Sequence, residues 1–330
     1  MAYAFPASNE PSSMPLPSLP TRSRAPRSLA LALALAGGLF ALGGCSIRRL
    51  AINGIAGALA SGGDVFATDD DPEFVREALP FGLKTLEALI AASPDNVDLR
   101  VAACRGFTQY AYAFLDADAE LAEVDDYEAA VVLQERALRM YLRARDYGLG
   151  ALELQKAGTS AALATDPQEA LSDFGAEQVP ALFWTGLSWG AAVSAGVDRP
   201  EIVADVDAVR ALLRRCLELD EGFEVGGVHQ AMMRIESLPE MMGGSPERAR
   251  EHFERAVELS SGHDASPYVT FATSVSVAAQ DRATFTEMLN AALAIDPDAE
   301  PRLRLSNRIE QRRAEHLLSV ADDLFLEPLE

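Results

Sequence analysis

Three places along this chain put a hydrogen-bond acceptor directly before a proline and then a carboxylate or amide: Asp71-Pro72-Glu73, Asp166-Pro167-Gln168 and Ser245-Pro246-Glu247. An Asp or Ser side chain satisfies the free N–H groups of a first helical turn. Proline at the first helical position loses nothing, because its missing N–H has no partner there anyway. Each string therefore predicts a helix start. Between them the apolar residues follow helical spacing, as in Leu133, Ala137, Met140, Tyr141, Ala144 and Tyr147, with Glu135, Arg136, Arg139, Arg143 and Arg145 on the remaining positions. No run of alternating β-branched residues competes; the nearest, Tyr268 to Val277, reads equally well as a buried helix. The predicted fold class is all-α.

One helical pattern recurs. Val209, Leu213, Cys216 and Leu217 share their spacing with Ala249, Phe253, Ala256 and Val257, and with Phe285, Leu289, Ala292 and Leu293; Gly82, Leu86, Leu89 and Ile90 form a fainter copy. Pro94 and Pro297 stand five residues after the third position of two copies. The pattern resembles the second helix of a tetratricopeptide repeat, where a small residue admits the paired helix and a bulky one fills the gap between pairs. The copies are unevenly spaced, so the expectation is tetratricopeptide-like helical repeats with irregular additional helices. Stacked pairs of this kind form concave binding surfaces.

The N-terminus carries Arg22, Arg24 and Arg27, an uncharged apolar run from Leu29 to Leu42, and then Leu42-Gly43-Gly44-Cys45. That order is an export signal, and the run is shorter than the roughly 20 apolar residues a spanning helix needs. Leu-Gly-Gly-Cys resembles the lipobox of bacterial lipoproteins, which implies cleavage before Cys45, acylation of its thiol and a lipid anchor in the periplasm. Ser46, being non-acidic, resembles the signal for transfer to the outer membrane, although the sequence leaves the choice of membrane open, as it leaves translation starting at Met1 or Met14. The expected organisation is a signal peptide over 1–44, a lipidated cysteine and tether over 45–65, and a helical domain over 66–330. Cleavage removes three arginines and one glutamate, making the remainder two charges more negative than the whole chain's −22. A surface so acidic repels nucleic acid. Cys104 and Cys216 fall in apolar helical patterns, where a free cysteine packs as a small hydrophobe, and two core thiols are expected in preference to a disulfide.

The search for chemistry yields little. Gly186-Leu187-Ser188-Trp189-Gly190 matches the Gly-x-Ser-x-Gly elbow of serine hydrolases, but that motif needs a strand before the serine. Here Val179-Pro180 opens a helix, so a single helix is the simpler reading and no enzyme is expected. His229, His252, His263 and His316 have no zinc-site spacing, and neither a metal nor a cofactor is expected. Gly226-Gly227 and Gly243-Gly244 lack the Lys-Ser/Thr tail of a P-loop and read as breaks between helices. Asp125-Asp126 and Asp322-Asp323 read as solvated acids. Aromatics say more: Phe107, Tyr110 and Phe114 share one stripe with Tyr112 and Gln109 beside it, and Phe183, Trp184 and Trp189 mark another helix. Core packing accounts for any one of them, yet in an aromatic-poor chain the concentration suggests a lined cavity. Gln109, His229, Asn307 and Arg313 are candidate polar groups on its wall.

Taken in order, Asp71 to Val75 with Ala78-Leu79-Pro80, Phe107 to Phe114, Leu182-Phe183-Trp184 with Trp189, Gly226 to His229, Gly243 to Pro246, Leu305-Ser306-Asn307 and Arg313-Ala314 resemble the T component associated with tripartite ATP-independent periplasmic (TRAP) transporters, the TatT family. The resemblance runs from Cys45 to Phe325. It implies a homotrimer with a pore through each protomer, partnering the extracytoplasmic solute-binding subunit of a TRAP system and passing it a small organic or hydrophobic ligand. Gln109, Tyr110, Trp184, Trp189, His229, Asn307 and Arg313 are the candidate ligand residues, with Arg313 or Arg308 as the counter-charge for a carboxylate. The alternative is a structural scaffold lipoprotein of the envelope with no small-molecule site.

Overall fold

In the computed structural model the described residues are 63–326, and every regular element among them is helical. The signal segment 1–44, Cys45, Ser46 and most of the tether lie outside them. Nine helices of twelve residues or more carry the architecture: α1 (Pro72–Ala92), α2 (Val97–Ala111), α3 (Tyr127–Gln155), α4 (Val179–Ala195), α5 (Val206–Asp220), α6 (Phe223–Glu236), α7 (Pro246–Leu259), α8 (Arg282–Leu293) and α9 (Arg304–Ser319). Short helical turns fill the connections, and the helix Gly63–Ala67 crosses the sequence-derived boundary at residue 66. Among the described residues no helix is long and apolar enough to cross a membrane.

The helix starts are where the acceptor-proline strings place them. The Asp71 carboxylate accepts from the N–H groups of Glu73 and Phe74, Asp166 accepts from Glu169 at 3.2 Å, and the Ser245 hydroxyl accepts from Arg248 at 3.3 Å. Asp126 is exposed, as read from sequence, and also caps α3 by accepting from Ala129 at 3.0 Å. Tyr268 to Val277 is helical, a helix Ser266–Phe271 running into a π turn, Ala272–Ser276.

Helix α4 is the axis of the larger core. It is buried on nearly all sides, and α2, α3 and α5 pack around it. The two glycines of the Gly-Leu-Ser-Trp-Gly string explain how. A methyl at Gly186 would stand 3.0 Å from the Leu213 side chain and one at Gly190 3.2 Å from Val209, so the glycines let α5 approach closely. Ser188 lies mid-helix and buried, donating to the Thr185 carbonyl at 3.0 Å, with the Cys104 sulfur 3.7 Å away. It sits on no strained turn, and the described residues include no strand to build one. Cys104 and Cys216 are free and buried, and burial pushes each thiol up to about 12.

The recurring pattern marks buried faces. Val209, Leu213 and Cys216 in α5, Ala249 and Ala256 in α7, and Phe285, Leu289 and Ala292 in α8 are all buried, and α8 packs on α9 in a second core toward the C-terminus. Helices α6 and α7 form a tight pair held by two histidines that sequence spacing gives no reason to join. His229 Nδ1 and His252 Nδ1 are 2.9 Å apart, so one must donate and the other accept, and only one proton fits between them. His229 Nε2 lies 3.5 Å from Glu221, which Arg255 also engages, and His252 feels Glu236 and Arg248. Burial lowers the affinity of both rings for protons, and His229 lowers that of His252 further, to about 4.

A histidine held below its unfolded value of about 6.5 binds protons more readily when the chain is unfolded. Its contribution to stability is therefore complete above that value and is lost as pH falls toward the folded value. Urea unfolding midpoints measured between pH 7 and pH 4 should fall, and the double substitution His229→Phe, His252→Phe should flatten that part of the profile. An unchanged slope in the double variant would assign the acid sensitivity to other groups.

Candidate functional site

A cavity of about 300 Å³ lies where α2, α4, α6 and α9 converge. Most of its wall is apolar, formed by residues such as Val75, Leu79, Phe183, Leu187, Leu213 and Ile309, with Phe66 of the N-terminal turn and Leu303 before α9 at its edge. That composition, an apolar wall with a few polar groups, belongs to small-ligand sites.

Two irregularities of backbone shape it. At Tyr112–Asp116 the chain leaves α2 through a π turn, and Tyr112 and Phe114 from this turn face the cavity. Such wide turns shift the helical register by one residue and are frequent at functional sites. At the start of α6, Glu224, Val225 and Gly226 take φ of 51°, 56° and 86° in succession. Only glycine adopts that conformation freely, and a β-branched residue there stores about 1–3 kcal/mol of strain. The left-handed run turns Glu224 and Gly227 into the cavity wall.

A buried charge network reaches from the wall into the molecule behind it. Glu310 accepts from the Tyr112 hydroxyl at 2.6 Å on one oxygen and from Arg313 Nη1 at 2.9 Å on the other. Arg313 also donates to Glu120 at 2.7 Å and to Tyr112 at 2.5 Å. Arg234 on α6 donates to the same hydroxyl at 3.1 Å and, like Arg313, lies over the Tyr112 ring. Asp116 accepts from Tyr141 at 3.2 Å. Burial raises the proton affinity of Glu310, Asp116 and Tyr112 against the opposing pull of the arginines. Three segments thus meet on one phenol, the π turn, α6 and α9, and Glu120 ties the helix Ala117–Ala122 to them through Arg313.

The sequence-derived candidates divide. Gln109 and Trp184 line the cavity, and the Gln109 side chain makes no hydrogen bond within the described protein. Trp184 packs edge-on against Phe183 with centroids 5.0 Å apart, and the Arg105 guanidinium lies over its ring at 5.4 Å. Tyr110 points into the core beside Phe114, with its hydroxyl 3.5 Å from Arg136. Trp189 turns away, donating its indole N–H to Asp205 at 3.2 Å. His229 belongs to the histidine pair. Asn307 is a staple, accepting from Ala265 N–H at 2.9 Å and donating to the His263 carbonyl at 2.8 Å. Arg313 stands one layer behind the wall, and Arg308 lies 3.7 Å from Asp298; neither lines the cavity. Sequence reasoning passed over Arg105, Arg234, Asp264 and Glu310, all of which do. Arg234 carried a signal, a lone charge within Ala231-Met232-Met233-Arg234-Ile235. Among the described residues no group of three or more His, Cys, Asp or Glu is arranged to hold a metal.

Removing one member of a buried ion network strands its partners. Arg313→Met should destabilise the fold by about 3–5 kcal/mol, and adding Glu310→Leu should recover much of that loss, measured by chemical denaturation. A double variant no more stable than the single one would mean that the arginine's packing, not its charge, matters there.

Comparison with known proteins bears on this arrangement over nearly its whole length. Residues 68–325 match the family model described as TRAP transporter T-component. An uncharacterized protein of Treponema pallidum (strain Nichols) is 31% identical over 303 residues, covering 86% of this chain and 94% of the relative.

Proposed function

The chain belongs to the TRAP transporter T-component family, and from that premise we propose that it is a periplasmic lipoprotein that partners the extracytoplasmic solute-binding subunit and passes a small organic ligand through its cavity. The observation that carries the ligand part is the cavity itself, an apolar space of about 300 Å³ with Gln109 and Trp184 on its wall. T components are transporter accessory proteins, not an enzyme family.

The remaining parts of the reading rest on sequence. Arg22, Arg24, Arg27, the Leu29–Leu42 run and Leu42-Gly43-Gly44-Cys45 support export, cleavage and acylation of Cys45, with Ser46 favouring the outer membrane. The repeated spacing, whose members occupy buried faces of α5, α7 and α8, supports a tetratricopeptide-like stacking of helix pairs. For the homotrimer, Phe74 and Phe81 offer some support: they lie on one stripe of α1, 64% and 80% exposed, an apolar surface that self-association would cover. The competing scaffold reading needs no cavity.

Native mass spectrometry of the full chain, extracted from its own membrane in mild detergent, tests all of this at once. The expected result is a trimer of chains lacking residues 1–44, each acylated at Cys45, with a small molecule released on denaturation. Empty, monomeric chains that stay empty with added organic acids would favour the scaffold.

A further inference from the structure

Helix α6 is fastened to α7 at both ends, by different chemistry. At the C-terminal end of α6 the Glu236 carboxylate accepts from Arg248 Nε at 2.8 Å, and its carbonyl accepts from the Ser245 N–H at 2.7 Å. At the N-terminal end the one side-chain hydrogen bond to α7 among the described residues joins His229 to His252. Between His229 and the helix start lies the left-handed run, and it is sandwiched. A methyl at Gly226 would stand 3.1 Å from Leu259 of α7, and one at Gly227 3.2 Å from the Phe183 ring on the cavity wall. Phe183 in turn meets Phe223, the first residue of α6, edge-on at 5.3 Å, and Trp184 at 5.0 Å. A movement of this end of α6 is therefore felt at the wall.

The histidine bond depends on a proton count. With both rings neutral, one Nδ1–H donates and the other Nδ1 accepts, and a single extra proton still leaves a donor facing an acceptor. A second extra proton puts N–H against N–H and sets two like charges side by side, so the bond is lost. The neighbouring acids do not restore it. Glu221, at the end of α5, lies 3.5 Å from His229 Nε2 but is engaged by Arg255; Glu236, which acts on His252, is engaged by Arg248. Helix α4 carries no titratable side chain, and the helix Ser266–Phe271 carries only Tyr268, packed on Phe253. Burial depresses the proton affinity of both rings, that of His252 to about 4. The pair is therefore intact at neutral pH and takes up its protons as the pH falls toward that value.

We propose that the histidine pair is a proton-operated latch on the cavity. Protonation of both rings parts the N-terminal end of α6 from α7, while Glu236 and Arg248 hold the other end as the pivot. The left-handed run then relaxes, which releases the strain at Glu224 and Val225 and withdraws Glu224 and Gly227 from the wall. Arg105, 4.0 Å from Glu224 in the latched state, loses that contact with it. The latch governs when the cavity is open and stands independently of what the cavity holds.

Trp184 supplies the readout, since with Trp189→Phe it is the single tryptophan of the chain and it lies on the cavity wall. Acrylamide quenching of its emission, followed in the full chain in dodecyl maltoside from about pH 7 to about pH 4 with far-UV circular dichroism alongside, tests the proposal. The quenching constant should rise at least about twofold before helix content falls. Adding His229→Phe and His252→Phe should abolish the rise, because two apolar rings take up no protons and keep α6 on α7. If that variant does not fold, His252→Gln, which hydrogen-bonds without charging, should abolish it instead. A flat profile with the helices intact overturns the proposal. So does a rise that survives without the histidines, which would assign it to the buried acids Asp116, Asp264 or Glu310. A rise that comes only with loss of helix overturns it as well, because opening would then be nothing apart from unfolding.

Discussion

One phenolic oxygen gathers the charges on which the centre of this protein depends. The Tyr112 hydroxyl donates to Glu310 and accepts from Arg313 and Arg234, joining the π turn after α2 to α6 and α9. A buried ion pair adds little net stability, but losing one partner is expensive, so such a cluster specifies which helices meet and in what register. With the hydroxyl fixed, the Tyr112 ring faces the cavity and Arg313 stays behind it. Arg234 on the far side keeps N–H groups uncommitted. The cavity lies beside this network, and Tyr112, Arg234 and Glu310 belong to both.

The scaffold around it rests on ordinary packing. Gly186 and Gly190 bring α5 against α4, the small residues of the recurring pattern lie on buried faces, and the histidine pair fastens α6 to α7. Because α6 carries both Arg234 and His229, the clamp and the cavity wall share a helix. The strain stored at Glu224 and Val225 sits at the start of that helix, beside the cavity, where α6 packs on α7.

Local chemistry was legible in the sequence wherever neighbours along the chain decide it. Asp71, Asp166 and Ser245 cap helices because their acceptors need only the next turn, and Leu133 to Tyr147 face the core because one helix repeats its own period. Helix α4 was readable from Pro180 despite its hydrolase-like string. The site was less legible, since side-chain direction depends on distant partners. Trp184 and Trp189 are five residues apart on one helix, yet one lines the cavity and the other reaches Asp205. Asn307 and Arg313 are polar for structural reasons that only the fold displays. The histidine pair spans 23 residues and two helices, a spacing no metal or capping rule would notice. Arg234 was the informative exception, a charge placed where the surrounding residues are buried.

The proposed ligand passage is open to a crystallographic test, in crystals of the full chain grown with 1-bromodecane. A bromine anomalous peak among Leu187, Leu213 and Ile309 is the expected result. Bromine found only on the outer surface, with the cavity unaltered, would contradict the passage reading.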